Sequence, residues 1–333
     1  MNRKTLLAMA VLWALGSGLP AQEHAASVST PAAQTNPQKP IGPADILLPH
    51  LVDSKHLEYP CFNGWSDHRT ADGTFEAAWA CHVTLPSWPI HVGSMTIDMG
   101  PTKHTVWLLI SAIVVATLLL TAAAAHRRHS HAVGHPKGFS AAIEGIVLYL
   151  RNEVYLPALG GHGGEKYAPF CLTLFFFILV CNLFGLIPYG STATGNLAVT
   201  GALALITFIV IEVAGMRALG KGYINTIVYW PHDMGFFMKL GLTTILTPIE
   251  IISKFTKPFA LTIRLFANMV AGHVIILSLV GLIFLFGWIV ALPVLGMSMF
   301  IMGLETAIVV PIQAFIFSLL AAVFIGQIRE AHH

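Results

Sequence analysis

Residues 261–320 read LTIRLFANMVAGHVIILSLVGLIFLFGWIVALPVLGMSMFIMGLETAIVVPIQAFIFSLL, and across 265–328 only His273 and Glu305 are ionisable. A stretch this apolar takes lipid, not water, as its solvent. Two helices standing upright across ~30 Å of hydrocarbon need only about 40 residues, and this run is well beyond that. The excess is absorbed if both helices tilt far past the usual ~20°. The reading is a long, reclined hairpin with its turn near residues 287–293.

The rest of the chain agrees. Of its 333 residues 55% are hydrophobic and only 10% are charged, and the mean hydropathy is +0.72. A soluble domain carries roughly 25% charged residues. The net charge of +2 is too small to point to nucleic acid, and no nucleic-acid-binding motif is present. Apolar segments at 105–125, 168–187 and 197–213 are each about long enough to cross as helices. Between the first two, 139–159 places Ile143, Ile146, Val147, Leu150 and Val154 at helical spacing, interrupted by Glu144, Arg151 and Glu153. That pattern predicts an amphipathic helix along the membrane interface.

Charge sets the orientation. His126, Arg127, Arg128 and Lys137 follow the first span, Arg217 and Lys221 follow the third, and 188–195 is uncharged. The positive-inside rule puts the N-terminal region outside and the loop after the first span inside. Five crossings then return the C-terminus, with Arg329, to the cytoplasm. The fold expected is an all-α polytopic membrane protein of about five membrane helices, with a small exported N-terminal region.

Arg3 and Lys4 precede the apolar run 6–15, and small residues with a proline follow to Ala21. This reads as a signal peptide over 1–21; the run is short for the alternative, an uncleaved anchor. Residues 22–103 read as an exported (periplasmic) extension whose first part, through Pro43, is a flexible tether, leaving 104–333 as the membrane domain. The alternating run 91–97, with Gly93 inside it, points to a strand or hairpin. Outside the cytoplasm Cys61 and Cys81 can oxidise to a disulfide, worth roughly 3 kcal/mol for a loop of about twenty residues. Cys171 and Cys181 lie in apolar sequence, which argues against a zinc site built from all four cysteines. His126, His129, His131 and His135 have no acidic or thiol partner nearby and read as a solvated basic loop rather than a metal site.

Arg264 opens the apolar hairpin. An arginine inside a bilayer costs at least ~2.5 kcal/mol on insertion scales and marks an ion path. An arginine snorkelling from a helix end explains it equally well, because Lys254 and Lys257 lie only two or three turns earlier. Asn268, four residues on, shares its face, whereas His273, nine residues on, faces the opposite way. Glu305 sits deep in the second arm, followed by Gln313, and an antiparallel hairpin brings it near His273. A histidine and a carboxylate inside a membrane form either a proton relay or a buried structural pair. Glu250 faces headgroups or lines a second aqueous access. No H-E-x-x-H or nucleophile motif supports an intramembrane hydrolase. A secondary ion-coupled transporter would bring internal repeats and helices broken near the midplane, and no repeat is visible.

LTIRLFANMVAGHVI (261–275) and PIQAFIFSLL (311–320) resemble the signature segments of the a subunit of F-type ATP synthases, and NLFGLIP (182–188) and TGNLAVTGALAL (194–205) are similar to its preceding helices. The resemblance implies a non-catalytic, ion-translocating subunit of a rotary motor in the bacterial inner membrane. Its partners would be a c-subunit ring, the b subunits of the peripheral stalk, the other ATP synthase subunits and lipid; no cofactor or metal is implied. Arg264 matches the arginine that separates two aqueous half-channels. Asn268, His273, Glu305 and Gln313 map to the outer half-channel, and Glu250 to the cytoplasmic one. Two features depart from the commonest pattern. His273 and Glu305 stand where many bacterial members have the acid and the histidine exchanged, which preserves one proton-carrying pair. The family's acid also lies seven residues before the glutamine, but Glu305 lies eight before Gln313. Eight residues rotate about 80° off a common face, seven only about 20°. Pro311, between them, removes a backbone donor. A π-bulge or kink is expected there.

Overall fold

The computed structural model describes residues 56–60, 80–92, 95–98, 100–129, 138–160, 163–187, 190–226 and 236–330. The signal-like segment 1–21, the tether and Cys61 lie outside the described residues, and so does the pairing of Cys61 with Cys81.

Among the described residues, five helical stretches are long and apolar enough to cross a membrane: Lys103–Thr121, Gly164–Gly185, Leu197–Leu219, Leu240–Ile283 and Ala291–Arg329. Hydrocarbon offers the backbone no hydrogen-bond partner, so a spanning segment must satisfy its own amides, and a helix does so. The corresponding elements are α1 (Lys103–His129), α3 (Ala168–Gly185), α4 (Leu197–Leu219), α5 (Phe236–Phe286), and the pair α6 (Ala291–Leu304) and α7 (Val310–Glu330). α2 (Phe139–Tyr149) is the expected interfacial helix.

α5 is the long first arm of the hairpin. It runs for 51 residues through Pro248 and Pro258, each of which deletes one rung of the helix ladder. At 1.5 Å per residue its contour is about 75 Å, more than twice the ~30 Å of a bilayer core, so only an oblique course keeps its apolar span in hydrocarbon. Its end is set by Gly287, at φ 75°. The Gly287 amide bonds the Ile283 carbonyl at 2.9 Å, an αL cap for which glycine lacks the Cβ penalty. A 3-10 turn, Trp288–Val290, then leads into α6. The turn falls where the sequence placed it.

The irregularity expected before Gln313 is also present. Glu305–Val309 form a π segment between α6 and α7. A π turn takes up one residue more than an α turn, so the eight residues to Gln313 advance about as far around the helix as seven α residues. It begins at Glu305 itself, and the helix is α again from Val310, before Pro311.

α2 packs part of its apolar face inward. The side chains buried along it and its continuation are Ile143, Leu150, Tyr155 and Leu159, while Ile146 is exposed. A second π segment, Leu150–Tyr155, is the reason: the added residue turns Tyr155 inward in place of Val154. Tyr155 Oη hydrogen-bonds Ser318 Oγ at 2.7 Å, and burial raises its phenol far above the ordinary range.

In the N-terminal region β1 (His56–Pro60) pairs antiparallel with β2 (Ala80–Thr84), and β3 (Pro89–Val92) with β4 (Met95–Asp98). The second pair extends the predicted strand run at both ends. The first was not anticipated.

The chain divides into two compact units. One comprises Met1–Ile110, Cys181–Val199 and Phe266–Val309; the other Ser111–Val180, Thr200–Leu265 and Val310–His333. The second has a tight core in which Ile178, Leu203, Leu265, Phe317 and Ile325 are almost wholly buried.

Candidate functional site

In the unit that contains 200–265, α5 presents Arg264 on an exposed face with Ala260 and Ile263. Arg264 makes no ion pair or hydrogen bond among the described residues. Beside it a cavity of about 330 Å³ is lined by Ser253, Thr256, Lys257, Leu320 and Phe324 as well as the arginine. A guanidinium is always charged, and at an apolar surface it calls for a counter-ion. This chain supplies none among the described residues.

One to four turns earlier on the same helix, a second cavity of about 190 Å³ gathers Glu212, Thr226, Glu250, Lys254, Lys257 and Gln327. Glu250 is exposed at this cavity, as it would be whether it faces headgroups or lines an aqueous access. Lys254 pairs with Glu212 at 3.4 Å. Glu212 was missed by the sequence reading, although an acid one residue from the end of an otherwise apolar span was a visible signal.

In the other unit, His273 Nε2 and Thr192 Oγ1 share a hydrogen bond of 2.5 Å. Thr192 belongs to the linker between α3 and α4, and nothing in its local sequence marks it. It fits because Gly185 leaves room: a Cβ there would stand 2.7 Å from Thr192 Oγ1. The same linker provides Thr194, whose hydroxyl donates to Asn182 Oδ1 at 2.6 Å. Glu305 is 4% exposed, and its carboxylate lies directly against Gly272, the residue before His273, in space that any side chain would fill. Hairpin packing therefore brings the acid to the histidine's turn, as anticipated. Both Glu305 oxygens, Asn182 Nδ2 and Ser191 Oγ are buried without a hydrogen-bond partner among the described residues. Such atoms are costly unless a proton or a mobile polar species satisfies them.

Asn268, one turn after Arg264 on α5, is exposed like it, as its spacing predicted. Gln313 is buried on α7, in the unit that holds Arg264 rather than in that of Glu305.

Five apolar spans with ionisable and polar side chains gathered inside them define a polytopic, all-α membrane protein. The chain belongs to the ATP synthase A chain family, whose model matches residues 105–326. It is 38% identical to ATP synthase subunit a 2 of Chlorobaculum tepidum over 316 residues, covering 94% of this chain and 79% of that one. It is 43% identical to ATP synthase subunit a of Myxococcus xanthus over 240 residues, covering 71% and 76%. A third relative, ATP synthase subunit a of Anaeromyxobacter sp., is 38% identical over 315 residues, covering 86% and 71%.

Proposed function

We propose that this chain moves ions, read as protons, through two offset half-channels against a ring of c subunits, coupling their flow to rotation and ATP synthesis. The observation that carries the reading is Arg264, exposed and, among the described residues, unpaired on a long apolar helix. Its missing counter-ion is a carboxylate on the passing ring. The fixed charge keeps that carboxylate ionised while it faces the arginine, and so blocks direct leakage between the half-channels.

His273, Thr192 and Glu305, with Asn268 and Gln313, serve the outer half-channel. Glu250 serves the cytoplasmic one. The exchanged positions of acid and histidine leave one titratable pair, enough for a relay. The subunit breaks no bonds itself. Its drive is about 2.3 kcal/mol per charge per 100 mV. Family membership sets aside the secondary-transporter alternative.

In this reading 1–21 is a cleaved signal, 22–103 a periplasmic extension closed by a Cys61–Cys81 disulfide, and 104–333 the membrane domain with a cytoplasmic C-terminus. The b subunits of the peripheral stalk hold it against the ring in the inner membrane. The test is ATP-driven acidification of vesicles carrying Arg264→Ala, with assembly verified by co-purification of the ring. Lost pumping in an assembled complex is expected; normal pumping would make Arg264 an interfacial anchor and overturn the proposal.

A further inference from the structure

Lys254 follows Glu250 by four residues on α5. At that spacing an acid and an ammonium meet on one helix face, and acid before base is the better order. The two do not pair. Lys254 Nζ lies 3.4 Å from Glu212 Oε2 on α4. It also donates to Tyr223 Oη at 3.1 Å and to Thr226 Oγ1 at 3.4 Å, both in the 3-10 segment Gly220–Thr226. An ammonium has three donors, and all three are taken. The Tyr223 ring adds a cation–π contact at 4.5 Å. Lys257, the other cation lining the cavity, is turned onto the Phe324 ring at 4.9 Å. Glu250 thus shares its cavity with two cations, and it forms no ion pair among the described residues.

We infer that Glu212 is a positioning residue for Glu250: it holds the Lys254 ammonium on α4, leaving the Glu250 carboxylate without a fixed counter-ion and free to exchange protons with the cavity. A carboxylate pinned beside an ammonium is held in its charged form and stops relaying. The Lys254 and Glu212 side chains are only 12% and 17% exposed, so solvent screens their attraction weakly. This inference rests on the proposed role of Glu250 as the proton-exchanging group of that cavity.

The experiment measures passive proton flux through the assembled membrane complex, with the soluble head stripped and flux normalised to co-purified ring. Glu212→Gln releases Lys254 toward Glu250, and flux falls about five-fold, the upper end of what one part-exposed ion pair shifts in a population. Adding Lys254→Met to Glu212→Gln restores it, which a merely structural role for Glu212 would not allow. Tyr223→Phe, which removes one acceptor and spares the ion pair, gives a smaller loss that Lys254→Met also reverses. This pair carries the test if Glu212→Gln fails to assemble. Unchanged flux in Glu212→Gln, or a loss that Lys254→Met does not reverse, overturns the inference. Glu250→Gln, run alongside, separates the two readings. If it conducts normally, the role of Glu250 has failed; if it blocks while Glu212→Gln conducts, the positioning inference alone has failed.

Discussion

Gly272 is a glycine because the Glu305 carboxylate occupies the place of its side chain. Gly272→Ala therefore displaces the acid at a cost of about 1–3 kcal/mol, and ATP-driven pumping should fall in a complex that still assembles. Combining it with Glu305→Asp, one carbon shorter, should recover part of the loss. Equal pumping by Gly272→Ala and wild type would show that the position of Glu305 is not critical. Tyr155→Phe tests a different bond. It removes the hydrogen bond to Ser318 but leaves the Ser318 hydroxyl its own carbonyl at Ala314, so the expected loss is about 1 kcal/mol, read as a lower thermal midpoint in detergent. At this scale the sequence was informative only for charge. Arg264, His273, Glu305 and Glu250 stand out because ionisable side chains are costly in apolar runs. Thr192 carries no such mark, being one hydroxyl in a polar linker, and only the packing of the hairpin brings it to His273.

Two π segments show how far counting residues can reach. The one at Glu305–Val309 was foreseeable, because the eight-residue interval to Gln313 conflicts with α periodicity and Pro311 weakens the ladder nearby. The one at Leu150–Tyr155 also has a proline two residues beyond its end, Pro157, but no interval there conflicts with α periodicity and betrays it. There the apolar spacing fits a plain α-helix, so the sequence places Val154 on the apolar face and gives no sign that Tyr155 is the buried side chain. If the first bulge serves to absorb one residue, deleting Ile308 should let the helix relax to α while Glu305 and Gln313 keep their relative rotation. Pumping should survive that deletion and be lost when Ala314 is deleted instead, since the α turn there holds no residue in excess. Loss in both deletions would mean that the bulge itself, not the rotation it sets, is required.

Across the whole molecule, the apolar runs and their basic flanks made the five spans legible, because lipid imposes one simple rule on backbone amides. The division into two compact units was not legible, since its cuts fall inside or at the ends of helices where the sequence shows no change of composition. Five crossings with positive loops inside predict that a cysteine at the exposed Ile187 reacts with a membrane-impermeant maleimide from the periplasmic side, and that one placed after Arg329 reacts only in inverted vesicles. The reverse pattern would invert the topology and exchange the two half-channels. The extent of burial also differs with position: few residues are buried in the most apolar part of Leu240–Ile283 and more than half in that of Gly164–Gly185, as expected of a helix that offers a face to lipid and to a partner. That face carries the exposed Arg264, and the account stands or falls on its charge. The most direct test is the passive proton leak of head-stripped vesicles containing the assembled Arg264→Ala complex. The account predicts a leak above wild type, because the barrier between the half-channels is gone. A leak equal to wild type, with pumping intact, would contradict it.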